Sequence, residues 1–249
     1  LSDKLENKIN EVKEIKMENA YTQKVAVLLA GSGAKDGSEI TEAVSLLICL
    51  SLKGIPYEIF APDRTQTEVI NHRLGEPTGE SRGILEEANR IARGRAKPLS
   101  SLNASEFSAL VIPGGFGTAK NLCTYGRQGT NAILFPDVEE TLLSFIKASK
   151  PIGVLCIAPL LVALAFKKLN LKGVQLTLGS GSAMNPISFI ESLGAIHRVC
   201  GRQDSVLDTT YKVISAPAYM YDDATPADIF KCTESLVQTL HDLLHVSMA

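Results

Sequence analysis

The sequence predicts an α/β fold, a mostly parallel β-sheet covered by helices on both faces. Two observations carry this. From residue 24 onward, short runs of apolar residues alternate with longer segments of helical periodicity. The runs are apolar almost throughout rather than at every second residue, as strands buried on both faces require. A third observation points to where the chemistry sits. Three of the strand-to-helix connections carry glycine or a cysteine, and ligands in such sheets bind beyond the carboxyl ends of the strands.

The elements follow in order. Residues 25–30 form a first strand ending in Gly31-Ser32-Gly33, and 40–52 form an apolar helix closed by Gly54. Residues 56–61 are the second strand. A polar insertion at 71–81 precedes a helix at 82–93 whose face is Leu85, Ala88 and Ile91 or Ala92. A third strand, 107–112, ends in Pro113-Gly114-Gly115-Phe116-Gly117, and a helix spans 137–148. The strand at 152–155 runs into Cys156, and Pro159 opens the next helix at the position proline favours. Residues 174–178 read as a strand, 186–193 as a helix stopped by Gly194, and 206–208 with 212–215 as two arms of a hairpin. Thr225 with Pro226 and Asp228 starts a last helix running to about residue 245. We expect a single α/β domain over 21–249. The first 20 residues, with Leu5, Ile9, Val12 and Ile15 among Glu and Lys, read as an amphipathic helical extension.

Composition narrows the function classes. A 249-residue chain that is 45% hydrophobic and 21% charged has material for one sizeable core. Its formal net charge of −2 and lack of a basic stripe argue against nucleic acid as a partner. The longest apolar stretch, 152–166, is interrupted by Gly153 and Pro159, which argues against a membrane span. Five widely spaced cysteines without a C-x-x-C pair fit a reducing compartment, cytoplasmic or organellar matrix, rather than a disulfide scaffold.

Cys156 is the centre of the candidate site. Only three residues separate the strand ending at Leu155 from the helix opening at Pro159, so the cysteine sits on a tight turn at the sheet's carboxyl edge. A helix N-terminus beside it is expected to lower the thiol pKa and favour the reactive thiolate. Glu39 lies at the start of the first helix. It reads either as a capping acid or as a carboxyl that hydrogen-bonds the Cys156 sulfur and moves protons. Gly114 and Gly115 read as a tight turn or, with the Ile157 amide, as backbone donors for an oxyanion. His72, in the polar insertion, is a candidate general base or an exposed loop residue. Cys123 is a possible second thiol near the pocket, while Cys49 and Cys232 read as core. The segment GSGAKDG fails as a dinucleotide fingerprint, because Asp36 stands where the third glycine belongs. His241 and His245 share a helix face without a third ligand nearby, so neither a metal nor a cofactor is expected.

The motifs AGSGAKDGSEITEAV, FAPD, VINH, ESRGILEEANRIARG, VIPGGFGTAKNL, KPIGVLCIAP and SAPAYM, in this order, resemble the ElbB-like proteins. These are a branch of the class I glutamine-amidotransferase-like superfamily that also holds the PfpI proteases. The resemblance runs from Lys24 to the C-terminus. It implies a flavodoxin-like three-layer sandwich, a nucleophile-elbow cysteine at Cys156, a partner glutamate at Glu39 and a homodimer. It also implies glutathione-independent glyoxalase or deglycase chemistry on small α-oxoaldehydes. The chain departs from the pattern at Ser32, where the family often has a second cysteine. Ile157 stands where PfpI-type members have histidine, a feature shared with the ElbB branch. The expected function is a cysteine-based conversion of α-oxoaldehydes to hydroxy acids, with a redox or metabolite sensor built on an oxidisable Cys156 as the alternative. Glutaminase and protease activities are disfavoured by the absence of a late histidine and glutamate pair around residues 215–220.

Overall fold

The computed structural model describes residues 24–180 and 184–246. The extension expected at 1–20 lies outside the described residues. In chain order the main elements are β1 (Val25–Leu28), α1 (Ile40–Leu52), β2 (Tyr57–Ala61), β3 (Ile70–Asn71), β4 (Glu76–Pro77), α2 (Ile84–Ala92), β5 (Lys97–Pro98) and β6 (Ala109–Ile112). They continue with α3 (Tyr125–Gln128), α4 (Pro136–Lys147), β7 (Ile152–Leu155), α5 (Pro159–Lys168), β8 (Gln175–Leu176), α6 (Met184–Ser192), β9 (Ile196–His197), β10 (Val206–Asp208), β11 (Val213–Ala216) and α7 (Pro226–Val246).

Seven strands form the central sheet in the order β10-β11-β7-β6-β1-β2-β5. Every pairing in it is parallel except β10 with β11, the hairpin the sequence predicts. β1, β6, β7 and β11 are buried along their whole length, which explains why their sequences are apolar at every position. α1 packs on α7, and α7 lies over β7 and β11. Gly153 permits that approach: a Cβ there would sit 2.6 Å from Val111 and 3.0 Å from Leu236 of α7. α4 and α5 form a second packed pair.

The strand expected at 174–178 does not join this sheet. It is shortened to β8 and pairs in parallel with β9. Two of its backbone donors are taken by side chains instead: Gln175 N–H donates to Asp208 Oδ2 (2.7 Å) and Thr177 N–H to Ser215 Oγ (2.9 Å). The polar insertion is partly ordered as the β3–β4 hairpin. A π-helical turn at Thr118–Leu122 follows the glycine loop and has no counterpart in the sequence reading.

The sheet order reverses between β1 and β6, so the chain leaves their carboxyl ends toward opposite sides. The crevice this opens is the usual ligand position in such folds. Here the loops after the two strands close on each other, backbone against backbone. Glu39 N–H donates to Gly114 O (3.0 Å), Phe116 N–H to Ala34 O (2.7 Å) and Gly117 N–H to Gly37 O (3.1 Å). A Cβ on Gly117 would come within 2.3 Å of Gly37 Cα, so the glycines of GSGAKDG and PGGFG serve loop-to-loop packing. Asp36, the residue that breaks the nucleotide fingerprint, is buried there and accepts the Ile70 N–H at 2.7 Å.

Candidate functional site

Cys156 occupies the turn between β7 and α5 with a left-handed backbone, φ 56°. A side chain that is not glycine pays about 1–2 kcal/mol for that conformation, so the surrounding structure must impose it. The Cys156 N–H donates to Ala216 O of β11 (2.9 Å), and Ala158 N–H closes the turn on Leu155 O (2.9 Å). The sulfur-bearing residue is buried, 7% exposed, and the backbone N–H groups of Gly115 and Ile157 face its sulfur. Gly115 reaches this orientation with φ 92°, a conformation that favours glycine.

The carboxyl facing the sulfur belongs to Glu42, not to Glu39. This corrects the sequence reading by one helical turn. Glu39 is the N-cap of α1, and its Oε2 accepts the Glu42 N–H at 2.8 Å. Glu42, one turn into the helix, points inward and is fully buried. Its Oε2 accepts the Gly114 N–H at 2.7 Å. Gly114 therefore secures Glu42, which leaves Gly115 and Ile157 as the two backbone donors facing the sulfur. Gly114 also admits no side chain, since a Cβ would lie 2.4 Å from Cys156 Cβ and 2.8 Å from Glu42 Oε2. The Cys156 thiol and the Tyr219 backbone N–H also face the carboxyl. Glu42 Oε1 is buried and lacks a partner of sound geometry.

Electrostatics follow from this burial. Desolvation, reinforced by the nearby Glu39 carboxylate, pushes Glu42 up to about 8, against the pull of the Gly114 N–H. Desolvation and the Glu42 carboxyl push the Cys156 thiol well above its usual range, although the Gly115 and Ile157 amides pull it down. The expected lowering by a helix N-terminus is thus overridden, and at neutral pH both members of the pair keep their protons.

His72 does not reach the sulfur. Its ring sits over the Gly33–Asp36 turn, where Nε2 accepts the Lys35 N–H (3.2 Å) and lies 3.6 Å from Asp36 Oδ1. Cys123 is fully buried against the Ala119 carbonyl, and desolvation lifts its thiol to about 12. Cys49 and Cys232 lie in the core as expected.

The three loops do meet in one cavity of about 570 Å³. The β1 loop supplies Ala34 and Glu39, the β6 loop Gly115 and Phe116, and the elbow Cys156 and Ile157. Pro186 and the segment after β11, with Tyr219, Met220 and Asp222, complete the wall. No described histidine lines it. A larger hollow of about 840 Å³ beside α4, lined by residues such as Asn103, Glu140 and Lys150, contains neither cysteine nor histidine. Among the described residues no group of three or more His, Cys, Asp or Glu is placed to hold a metal ion.

No family model matches the chain. Among curated proteins it is similar to the human glutamine amidotransferase-like class 1 domain-containing protein 3, mitochondrial, with 41% identity over 213 residues. That match covers 81% of this chain and 76% of the human protein. It is also 41% identical over 209 residues to the rat ES1 protein homolog, mitochondrial, covering 79% and 75% respectively. Among solved structures, the isoprenoid biosynthesis protein with amidotransferase-like domain from Ehrlichia chaffeensis superposes with a TM-score of 0.81 at 33% identity. The superposition covers 88% of this chain and 99% of that one.

The burial of Glu42 has a consequence for stability. A carboxyl raised from 4.5 to about 8 on folding prefers its proton in the native state. Its contribution is full below pH 4.5 and is lost as pH rises through about 8, a loss on the order of 5 kcal/mol. Urea denaturation at pH 5, 7 and 9 is expected to show the wild type weakening over this range and Glu42→Gln staying comparatively flat. Equal pH slopes for the two proteins would overturn the assignment.

Proposed function

This chain belongs to the ElbB-like, ES1-type family of glutamine amidotransferase-like class 1 proteins, and from that premise we propose that Cys156 and Glu42 convert small α-oxoaldehydes to hydroxy acids, with water as the only co-reactant. The observation that carries the reading is the pairing of a buried carboxyl, raised to about 8, with a thiol that two backbone amides face. A carboxyl in that range is matched to proton transfer near neutral pH.

In the molecules whose Glu42 is ionised, the sulfur adds to the aldehyde carbon as Glu42 takes the thiol proton and hands it to the carbonyl oxygen, which gives a hemithioacetal and leaves Glu42 ionised again. Glu42 in its ionised form then removes the C–H proton from the former aldehyde carbon and returns it to the neighbouring carbon through an enediol. The Gly115 and Ile157 amides support the charge that develops on oxygen. The product is a thioester of the hydroxy acid. Water cleaves it, releasing the acid and restoring the thiol. Glu39 keeps two parts in this scheme, as the cap that orients α1 and as a charge that helps hold the proton on Glu42.

A second reading, a redox sensor without turnover, draws support from the same two amides, which suit the oxygens of a sulfinate. A glyoxal- and methylglyoxal-consumption assay separates the two. The proposal expects activity in wild type and a loss of at least a hundredfold in both Cys156→Ser and Glu42→Gln, the usual scale for acid–base and nucleophilic groups. Equal rates in wild type and Cys156→Ser contradict it. Selective peroxide oxidation at Cys156 without aldehyde turnover favours the sensor.

A second copy of the chain is the partner we infer. Ile40, Val44, Ile48 and Leu52 form one exposed apolar row along α1, 40–70% accessible, beginning next to Glu39 of the cavity wall. Such a row suits a self-complementary interface. Sedimentation should give a dimer for wild type and a monomer for Val44→Glu/Ile48→Glu; a monomeric wild type removes the inference. The human and rat relatives are both named as mitochondrial, which supports an organellar matrix as the compartment.

A further inference from the structure

We propose that the Cys156 cavity selects its electrophile by charge, taking neutral or cationic carbonyl compounds and turning away those that carry a carboxylate, sulfonate or phosphate. The inference rests on the reading of Cys156 as the nucleophile and adds the substrate class.

The cavity wall supplies the argument. Apart from Cys156 and Tyr219, its described ionisable side chains are Glu39 and Asp222, both acids, and no Lys, Arg or His is among them. Asp222 makes no ion pair with a described residue, whereas Arg202 pairs with the neighbouring Asp223 at 3.0 Å. Two lysines of the flanking loops, Lys120 and Lys35, are turned to other work. Lys120 lies behind the Phe116 ring, 4.6 Å from its centroid, and is matched by Glu68 and the Lys35 carbonyl. The Lys35 ammonium lies beside Gly75 of the β3–β4 hairpin.

The polar donors of the cavity are equally selective. Gly115 and Ile157 N–H groups face the sulfur, so they serve an oxygen on the carbon bonded to it and not a remote anionic group. Deeper in, the Glu42 carboxyl is already engaged by the Gly114 N–H and faces the Cys156 thiol, so it brings no cation to the cavity. The remaining wall, Phe116, Tyr219 and Met220, is apolar or aromatic and suits a hydrocarbon body or an ammonium group over a ring. A substrate anion would meet two like charges, the half-buried Glu39 and the exposed Asp222, and no compensating cation among the lining residues.

Charged thiol reagents of matched size test this without requiring turnover. Intact protein is treated with the ethyltrimethylammonium and the ethylsulfonate methanethiosulfonates, and labelling of the Cys156 peptide is followed by mass spectrometry. Each rate is normalised to that of a small free thiol. The expected result is labelling by the cation about tenfold or more faster than by the anion at low ionic strength, a ratio that shrinks with added salt. In Asp222→Asn, and further in Asp222→Asn/Glu39→Gln, the ratio should fall to within about twofold of unity. Equal normalised rates in wild type, faster labelling by the sulfonate, no labelling of Cys156 by either reagent, or a ratio untouched by the substitutions would overturn the proposal. A retained ratio without glyoxal consumption would defeat the enzymatic reading and leave the charge filter standing. Turnover with a flat ratio would do the reverse.

Discussion

Two acidic protons held beside one another and largely stripped of water set the terms for the rest of this molecule. Charging either Cys156 or Glu42 costs free energy through desolvation, and charging both adds repulsion. The pair persists because packed and hydrogen-bonded elements hold both partners. Glu42 is carried by a helix packed on α7, its Oε2 is held by the Gly114 N–H, and Cys156 is locked at a strained turn by the Ala216 carbonyl. Remove any of these and the carboxyl and thiol lose their register.

The sheet provides the frame. The order reversal at β1 and β6 brings two loops together, and their glycines let the backbones touch. This contact sets the depth of the cavity: the β6 loop lays Gly114 against Glu42 and turns Gly115 toward the sulfur. The same glycines that resemble a nucleotide motif in the sequence therefore position the loops around Cys156. Asp36 is better understood as the post to which the Ile70 amide is tied than as a barrier to pyrophosphate.

Much of the fold was legible because parallel strands buried on both faces leave uninterrupted apolar runs. Residues 40–52 and 152–155 match α1 and β7 end to end. The bend at Cys156 was legible too, since three residues between strand and proline leave little freedom. The partner acid was not. α1 carries two apolar rows: Ala43, Leu46, Cys49 and Leu50 lie inside with Glu42, while Ile40, Val44, Ile48 and Leu52 lie outside. Periodicity alone cannot tell which row is buried, and a glutamate in one of them argues for the wrong face. A useful signal was the placement of Glu42, three residues after an acid that already serves as the cap. His72 was illegible for another reason: an insertion's direction depends on contacts such as that with Asp36, which no local pattern encodes. The thiol pKa was misread because a helix N-terminus is visible in sequence and desolvation is not.

Ionisation of Cys156, followed by thiolate ultraviolet absorbance against a Cys156→Ser blank, tests the central claim most directly. The account predicts that the wild-type sulfur remains a thiol at pH 7 and ionises only above the ordinary thiol range, and that Glu42→Gln, relieved of the carboxylate charge, ionises at lower pH than wild type. A Cys156 thiolate already complete at pH 6, or a titration indifferent to Glu42, would contradict it.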